Sequence, residues 1–332
     1  MPQILRTTLI ADEAQAADGV VNFDLPTNPI SAVLLTVKAL NATTDTDSTT
    51  YSFLSQLLAM ITNLNIRYRG ATIMDGSLTD LAVLFAVLSR WAPFQSNAKL
   101  TNNDSRAVTI PLLFGRRPYD PMECFPATRR GDLVMSMTTD VGVTGLDGLI
   151  LQAETIELLD AVPEKFLKCT TTQPSAFALG QNFVDLPIGN KILGVLMQAF
   201  NFPDGADFAS SFGQVALQVD NVEVGYSETN WETLHGEINR RLQDTSQLFP
   251  HFHMTTDAAL TPDAIITSAQ MDNARMINAY AYMDLDPLGD EQYALDTKGA
   301  ADVRLKVTSD AADATPSRII PVELVNVTPT GA

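Results

Sequence analysis

Two twenty-residue stretches of this chain repeat each other: "NFDLPTNPISAVLLTVKALN" from Asn22 to Asn41, and "NFVDLPIGNKILGVLMQAFN" from Asn182 to Asn201. Each opens Asn-Phe, carries Leu-Pro a few residues on, turns through Asn, runs apolar and ends Ala-x-Asn. A chain that contains one unit twice has few architectures open to it, so the repeat outranks every other signal. Three more echoes follow in the same order. "DLVMSMTTD" (Asp132–Asp140) matches "DVRLKVTSD" (Asp302–Asp310) without a gap. "LNIRYRG" (Leu64–Gly70) and "VALQVDNVEVG" (Val215–Gly225) both alternate apolar and polar residues, the period of a half-buried strand. "LILQAETIEL" (Leu149–Leu158) stands beside "RIIPVELVNV" (Arg318–Val327). Four echoes in one order identify an internal duplication. The second copy of the first pair has one unmatched residue inside it, Val184. The two copies are therefore expected to superpose at both ends and to differ by a local shift between.

Each half reads as short strands around one conspicuous helix. Strands are expected near 19–25, 32–40, 62–69, 71–75, 107–114, 132–139 and 149–158, then near 182–187, 191–200, 213–224, 277–284, 301–308 and 318–327. A further helical piece is expected at 51–61. Capping boxes of the form [ST]-x-x-[DE] at Ser77–Asp80 and Thr229–Glu232 open the two main helices. The first, "LTDLAVLFAVLSR", is apolar nearly all round and is expected to be buried. In the second, Trp231, Leu234, Ile238 and Leu242 form one stripe opposite Glu232, Glu237, Asn239 and Arg240. Seven or eight short strands without βαβ alternation point to an antiparallel sandwich in each half. The expected division is an N-terminal arm at 1–18, a first unit at 19–161 and a second at 162–332.

The chain has 332 residues with 45% hydrophobic content, enough for two cores. Its net charge of −18 argues against a free nucleic-acid-binding face, which needs clustered Lys and Arg. Cys124 and Cys169 have neither metal-ligand spacing nor a disulfide framework, as expected of a protein made in a reducing cytoplasm. The N-terminus lacks the pattern of a signal peptide, and no apolar run approaches the length of a membrane span.

No catalytic constellation stands out, so no catalytic, cofactor-binding or metal-ligating residue is assigned. His251 and His253 lie on one side of "PHFH" but lack a third ligand at recognisable spacing. His235 reads as a helix-edge residue rather than a general base. "DLDPLGDE" (Asp284–Glu291) offers alternating carboxylates around Gly289. An ordinary turn accounts for it, and a structural calcium ion is the one cofactor left open there. "GRRPYDPMECFPATRRGD" (Gly115–Asp132) is the most basic stretch of an acidic chain. Its Arg116, Arg117, Arg129 and Arg130 suit carboxylates of a neighbouring subunit or phosphate, or an internal balance of surface charge.

The paired "NF(V)DLP" segments and the paired "DLVMSMTTD/DVRLKVTSD" strands, spread over roughly 20–330, resemble the double jelly-roll major capsid proteins of tailless icosahedral viruses, many with an internal membrane. The resemblance is architectural, with no family motif matched residue by residue. It implies an all-β chain of two tandem antiparallel eight-stranded jelly rolls, each with an inserted helix. It also implies a bacteriophage-type structural protein, not an enzyme, located in the virion and assembled in the host cytoplasm. The implied partners are further copies of itself, first in a pseudo-hexagonal homotrimer and then between capsomers. Vertex or minor capsid proteins and an internal viral membrane follow, with no sequence-specific nucleic acid. The N-terminal arm would then lie beneath the capsomer, against membrane or a neighbour. A second reading, a double jelly-roll carbohydrate-binding or glycan-processing protein, shares the architecture. Two tryptophans, no signal peptide and no disulfide pattern count against it.

Overall fold

A computed structural model describes residues 3–41, 54–90, 95–96, 103, 105–143, 145–172, 176–203, 208–242 and 277–327. The first half contains β1 (Gln3–Gln15), β2 (Gly19–Asp24), β3 (Ile30–Asn41), α1 (Leu54–Ala59), β4 (Ile61–Tyr68), β5 (Ala71–Gly76), α2 (Leu78–Ser89), β6 (Gln95–Ser96), β7 (Ser105–Leu113), β8 (Leu133–Thr139) and β9 (Leu146–Leu159). The second contains β10 (Lys165–Thr170), β11 (Gly180–Asp185), β12 (Lys191–Gln198), β13 (Gln214–Val219), β14 (Val222–Glu223), β15 (Thr229–Asn230), α3 (Trp231–Arg241), β16 (Tyr280–Asp284), β17 (Leu295–Asp296), β18 (Val303–Ser309) and β19 (Arg318–Asn326).

Strand order shows the duplication directly. The sheet β2-β8-β4-β5 of the first half recurs as β11-β18-β13-β14 in the second, and β1-β9-β3-β7 recurs as β10-β19-β12-β16. Each half is thus four strands on four, an eight-stranded jelly roll with an inserted helix. Residues 3–15, expected as an arm, instead form β1 against β9, at the edge of their sheet. The strand is mostly exposed and has register shifts between Thr8 and Ile10 and between Ile10 and Glu13. Such bulged, polar edge strands carry little alternation for a sequence pattern to show.

The register repeats as well as the order. Asp24 faces Val134 and Asp185 faces Arg304, while Leu25 and Leu186 donate their N–H groups to the Leu133 and Val303 carbonyls at 2.9 and 2.8 Å. The β3–β9 ladder shifts register between Ile30 and Ala32, and β12–β19 shifts at the corresponding place, between Ile192 and Gly194. This corrects the expectation drawn from Val184. The ladder makes Phe23 equivalent to Val184, because they face Met135 and Leu305, so the literal Asn-Phe match is one residue out of register. A slip of one reverses the side-chain face. Val184 is buried, and Phe183 stands outward at 53% exposure. The correspondence lies in the middle of the repeat, at Leu-Pro and the following Asn, and not at its ends.

Both main helices keep their places after the β4–β5 and β13–β14 hairpins, but the caps differ from expectation. Ser77 caps α2, its side chain accepting from the Asp80 N–H at 3.1 Å. Asp80 does not reach back to complete the box; its carboxylate is committed elsewhere. No box forms at Thr229, which pairs with Val215 in β15, and Asn230 is the N-cap of α3 without a side-chain capping bond, its amide oxygen accepting instead from Gln214 at 3.1 Å. The apolar stripe of α3 is buried as its spacing predicts, as is nearly all of α2.

The two rolls share one sheet. β5 and β10 pair in parallel through Cys169–Met74 and Thr170–Asp75, joining β2-β8-β4-β5 to β10-β19-β12-β16. β10, read from the sequence only as a lead-in to the second half, is therefore the strand that couples the rolls. One face of its sheet, with Ile192, Val195, Met197 and Met283, closes the core of the second roll. The other, with Leu193, Leu196, Tyr280, Tyr282, Ile320 and Val322, packs into the core of the first.

Candidate assembly surfaces and the roll–roll junction

The two loops singled out by charge occupy equivalent places in the two rolls. Phe114 donates its N–H to Ser31 as β7 ends, and Leu285 donates to Leu193 as β16 ends, both at 3.0 Å. The loops that follow meet at the junction. Arg116 binds the Glu123 carboxylate through Nε (2.9 and 3.0 Å) and Nη2, Asp286 through Nη1 at 3.0 Å, and Glu291 through Nη2 at 3.2 Å. Hydrogen bonding to Glu123, then to Asp286, raises the pKa of Arg116 further despite its partial burial. Lys165 and Lys191 bind Glu291 at 2.6 and 3.0 Å. Partial burial works against ionisation of Glu291, but the two lysines prevail and hold its carboxyl below the ordinary range.

The acidic stretch considered for calcium is thereby filled with protein cations. Arg240 and Arg241 hold the Asp284 carboxylate at 2.6 and 2.8 Å, and Asp286 also accepts from the Glu291 N–H at 2.9 Å. Charge-assisted bonds of this kind supply the neutralisation that a bound metal would otherwise supply. Among the described residues no group of three or more His, Cys, Asp or Glu is arranged to hold a metal ion. Of the four arginines expected to face a neighbour, Arg116 is used inside the chain, whereas Arg117, Arg129 and Arg130 are exposed.

A second clasp lies on the α2 side of the junction. Asp80 is completely buried, accepts two hydrogen bonds from Arg318 of β19 (2.6 and 2.9 Å), and accepts a third from the Tyr280 hydroxyl of β16. Burial opposes the charge on Arg318, and the Asp80 carboxylate outweighs it, raising the arginine's pKa. No sequence motif marks this arrangement, because its members lie 200 or more positions apart. The one available signal is Asp80 itself, a lone carboxylate in a helix that is otherwise apolar.

The remaining candidates have structural places. His235 donates Nδ1–H to the Tyr280 carbonyl at 2.7 Å and stacks on Trp231, tying α3 to β16. His251 and His253 lie outside the described residues. Both cysteines are buried free thiols, and burial pushes Cys124 up to about 12 and Cys169 higher, which favours the protonated thiol in both. Trp231 is buried and cannot serve as a glycan platform, and Trp91 is outside the described residues. The exposed apolar side chains include a group close in the fold. Ile4 pairs with Leu158 in β1–β9, Arg6 reaches the Tyr119 hydroxyl at 3.2 Å, and the Glu164 N–H reaches the Met122 carbonyl at 2.9 Å. Ile4, Tyr119, Met122 and Val162 thus crowd one region of the surface, exposed by between 42% and 79%.

No family model matches this chain, and no curated protein matches it significantly. Solved structures do match. The major capsid protein P2 of bacteriophage PM2 aligns over 99% of this chain and 100% of its own, at 12% identity and a TM-score of 0.60. A protein in the structure of Sulfolobus Turreted Icosahedral Virus aligns over 98% and 91%, at 14% identity and 0.64. One from the PBCV-1 virus capsid aligns over 99% and 95%, at 8% identity and 0.57. The similarity extends across these viruses rather than being confined to bacteriophages. With its strand order repeated in the two halves and these structures aligned end to end, this chain has the double jelly-roll fold of the major capsid proteins.

Proposed function

We propose that the chain is a major capsid protein, a non-catalytic subunit of an icosahedral shell, present in the virion and assembled from homotrimers of pseudo-hexagonal outline. The observation that carries this reading is the repetition of all eight ladder strands in the same order and largely the same register, in a chain matched from end to end by capsid subunits. A flat six-sided tile made by threefold symmetry needs two similar walls per subunit, and closed cyclic symmetry supplies the rest. The shared sheet and the two ionic clasps fix the angle between those walls.

The surfaces available for contact between copies are the exposed Arg129 and Arg130 and the apolar group around Tyr119, Met122 and Val162. Patches of this kind mark interaction sites more often than they mark free surface. The reading also assigns neighbouring capsomers, minor proteins at the vertices and an underlying viral membrane as partners, with assembly in the host cytoplasm. Light scattering on the purified protein tests it. The expected species is near 108 kDa, three chains of 36.0 kDa, with hexagonal tiles visible by electron microscopy. A protein that stays at 36.0 kDa at micromolar concentration and forms no regular assembly overturns it.

A further inference from the structure

The chain joins its two rolls through β5 and β10, while the equivalents of those two strands, β14 and β1, each end a sheet among the described residues. Equivalent positions can be counted along the ladders. β9 and β19 align through Glu157 and Glu323, which face Ile30 and Ile192. One residue further on, Ile4 faces Leu158 and Leu167 faces Leu324, so Ile4 matches Leu167 and Leu5 matches Lys168. Leu167 is fully buried and belongs to the core of the first roll. Ile4 is 57% exposed and Leu5 41%. On the other edge, counting from the hairpins that close at Ala71 and Val222, Val224 matches Ile73. Ile73 is buried and Val224 is 39% exposed. An edge strand left to water commonly carries charge rather than aliphatic side chains.

The clasp at Asp80 has a counterpart as well. Ser77 and Asn230 cap the two main helices, so Thr233 stands where Asp80 does. Thr36 lies between Thr109 and Gln152 in its sheet as Gln198 lies between Tyr280 and Arg318. The acid, arginine and tyrosine of the clasp are thus replaced together by Thr233, Gln152 and Thr109. Thr233 is exposed and the other two are half-buried. Had only one member of the set changed, a neighbour docked there would bury an unpaired charge, which is strongly unfavourable. With all three uncharged it buries none. The two open edges also bring opposite charges. Arg6 on β1 takes the place of Cys169, and Glu223 on β14 takes the place of Thr72, two residues before the Met74 that pairs with Cys169.

We propose that β1 of one copy pairs in parallel with β14 of a second copy, repeating between chains the β5–β10 pairing within the chain, with the face that carries Thr109 and Gln152 set against α3 of the second copy. The inference rests on the trimeric reading above and names the contact that closes the trimer. Each chain offers one β14 edge and one β1 edge, so the contact is head-to-tail. Head-to-tail contacts close into a ring when the rotation between copies allows it. Here the same junction alternates within and between chains, and three chains complete the six-sided outline. Continued at the register of Cys169 with Met74, the pairing sets Leu5 beside Val224 and Arg6 beside Gly225. Two exposed aliphatic side chains then cover each other, removing apolar surface from water on both edges.

The test is oxidative cross-linking of the full-length protein carrying Leu5→Cys, Val224→Cys or both. Neighbouring strands lie about 4.8 Å apart, within the Cα separation of a disulfide, and both native cysteines are buried. On a non-reducing gel the double variant is expected to give linked species up to 108 kDa, three chains of 36.0 kDa. Each single variant is expected to stay at 36.0 kDa, and the two single variants co-expressed to give linked pairs and nothing larger. Ile4→Asp brings a carboxylate toward Glu223 of the second copy and is expected to weaken the trimer about tenfold or more in sedimentation equilibrium. Val20→Asp, at a similarly exposed position on β2, is expected to leave it unchanged. A trimer that the double variant fails to link, or that Ile4→Asp leaves at full strength, overturns the edge pairing and leaves the trimeric reading standing. Linked pairs from Leu5→Cys alone also overturn it, because β1 would then be meeting β1. A protein that is monomeric throughout overturns both. Ile4, Leu5 and Val224 are exposed, so their variants are expected to fold.

Discussion

β3 and β12 are the same strand in the two rolls, yet they meet different surroundings. Beyond its first residues β3 alternates buried and half-buried positions, with Thr36 and Lys38 facing outward. β12 is buried at every position between its two ends. The difference arises because the sheet of β12 serves two cores at once, whereas the sheet of β3 serves one. Strands covered on both faces read as continuous apolar runs, and "ILGVLM" is such a run. Duplication thus preserved topology and register, while docking of one copy onto the other changed which residues each strand can tolerate. The helices show the same asymmetry in reverse: α2 is buried nearly all round at the junction, and α3 retains a charged face.

The largest effect separating the copies is expected at Leu34 and Leu196, which the ladders make equivalent by facing Glu154 and Ile320. Leu196 points into the first roll and is buried; Leu34 is half-buried on an outer face. Leu196→Ala should cost about 2–5 kcal/mol, as for other large-to-small core changes, and Leu34→Ala about 1 kcal/mol. Guanidinium unfolding of the purified variants measures both. Equal costs would mean that the rolls are not packed through this sheet.

Most of the strands, and the fact of duplication, were legible in the sequence because alternation and turn residues are local signals. The exact equivalence was not. "Asn-Phe" repeats literally but slips by one in the structure, since pairing follows the buried Leu25 and Leu186 and ignores the exposed Phe183. The fourth echo also shifts. Read without gaps it sets Glu154 beside Glu323, whereas the ladders set Glu157 there, facing Ile30 as Glu323 faces Ile192. Partners distant in sequence carry no such signal at all. Asp80 with Arg318, and Arg116 with Glu291, became visible only when the rolls were brought together. The basic loop at Gly115–Asp132 and the acidic loop at Asp284–Glu291 lie more than 150 positions apart, and opposite charge alone does not pair them.

The shifted echo exposes a pair of buried glutamates that sharpens the comparison. Glu157 and Glu323 are each buried, and each accepts a 2.7 Å hydrogen bond from an equivalent asparagine, Asn28 or Asn190. Their other partners differ. Thr7 and Thr155 donate to Glu157, while Lys168 forms an ion pair with Glu323 at 2.7 Å. Since the asparagine contact is the same in both copies, Asn28→Ala and Asn190→Ala should each cost about 1.5–3 kcal/mol, the range for a hydrogen bond to a charged group. Thermal unfolding of the two variants should show matching shifts. A much larger loss in one copy would show that its asparagine does more than hold the glutamate.

The smallest expected difference lies in the hairpin turns. Tyr68 pairs with Ala71 across Arg69-Gly70, and Val219 pairs with Val222 across Asp220-Asn221. In both turns the two central residues have positive φ, 49° and 84° in the first and 49° and 64° in the second, the backbone of a type I′ hairpin. The second central residue is glycine in one turn and asparagine in the other. Gly70 adopts positive φ without steric cost, and Asn221 is among the few residues with a side chain that tolerate it. Gly70→Ala should therefore cost about 1 kcal/mol through backbone strain alone, because nothing lies within 4 Å of a Cβ built there. Asn221→Gly should be neutral or stabilising by about 0.5 kcal/mol. If instead Gly70→Ala were silent and Asn221→Gly destabilising, the asparagine side chain would be holding its turn by a bond that glycine cannot make, and the two hairpins would be alike in backbone but not in cause.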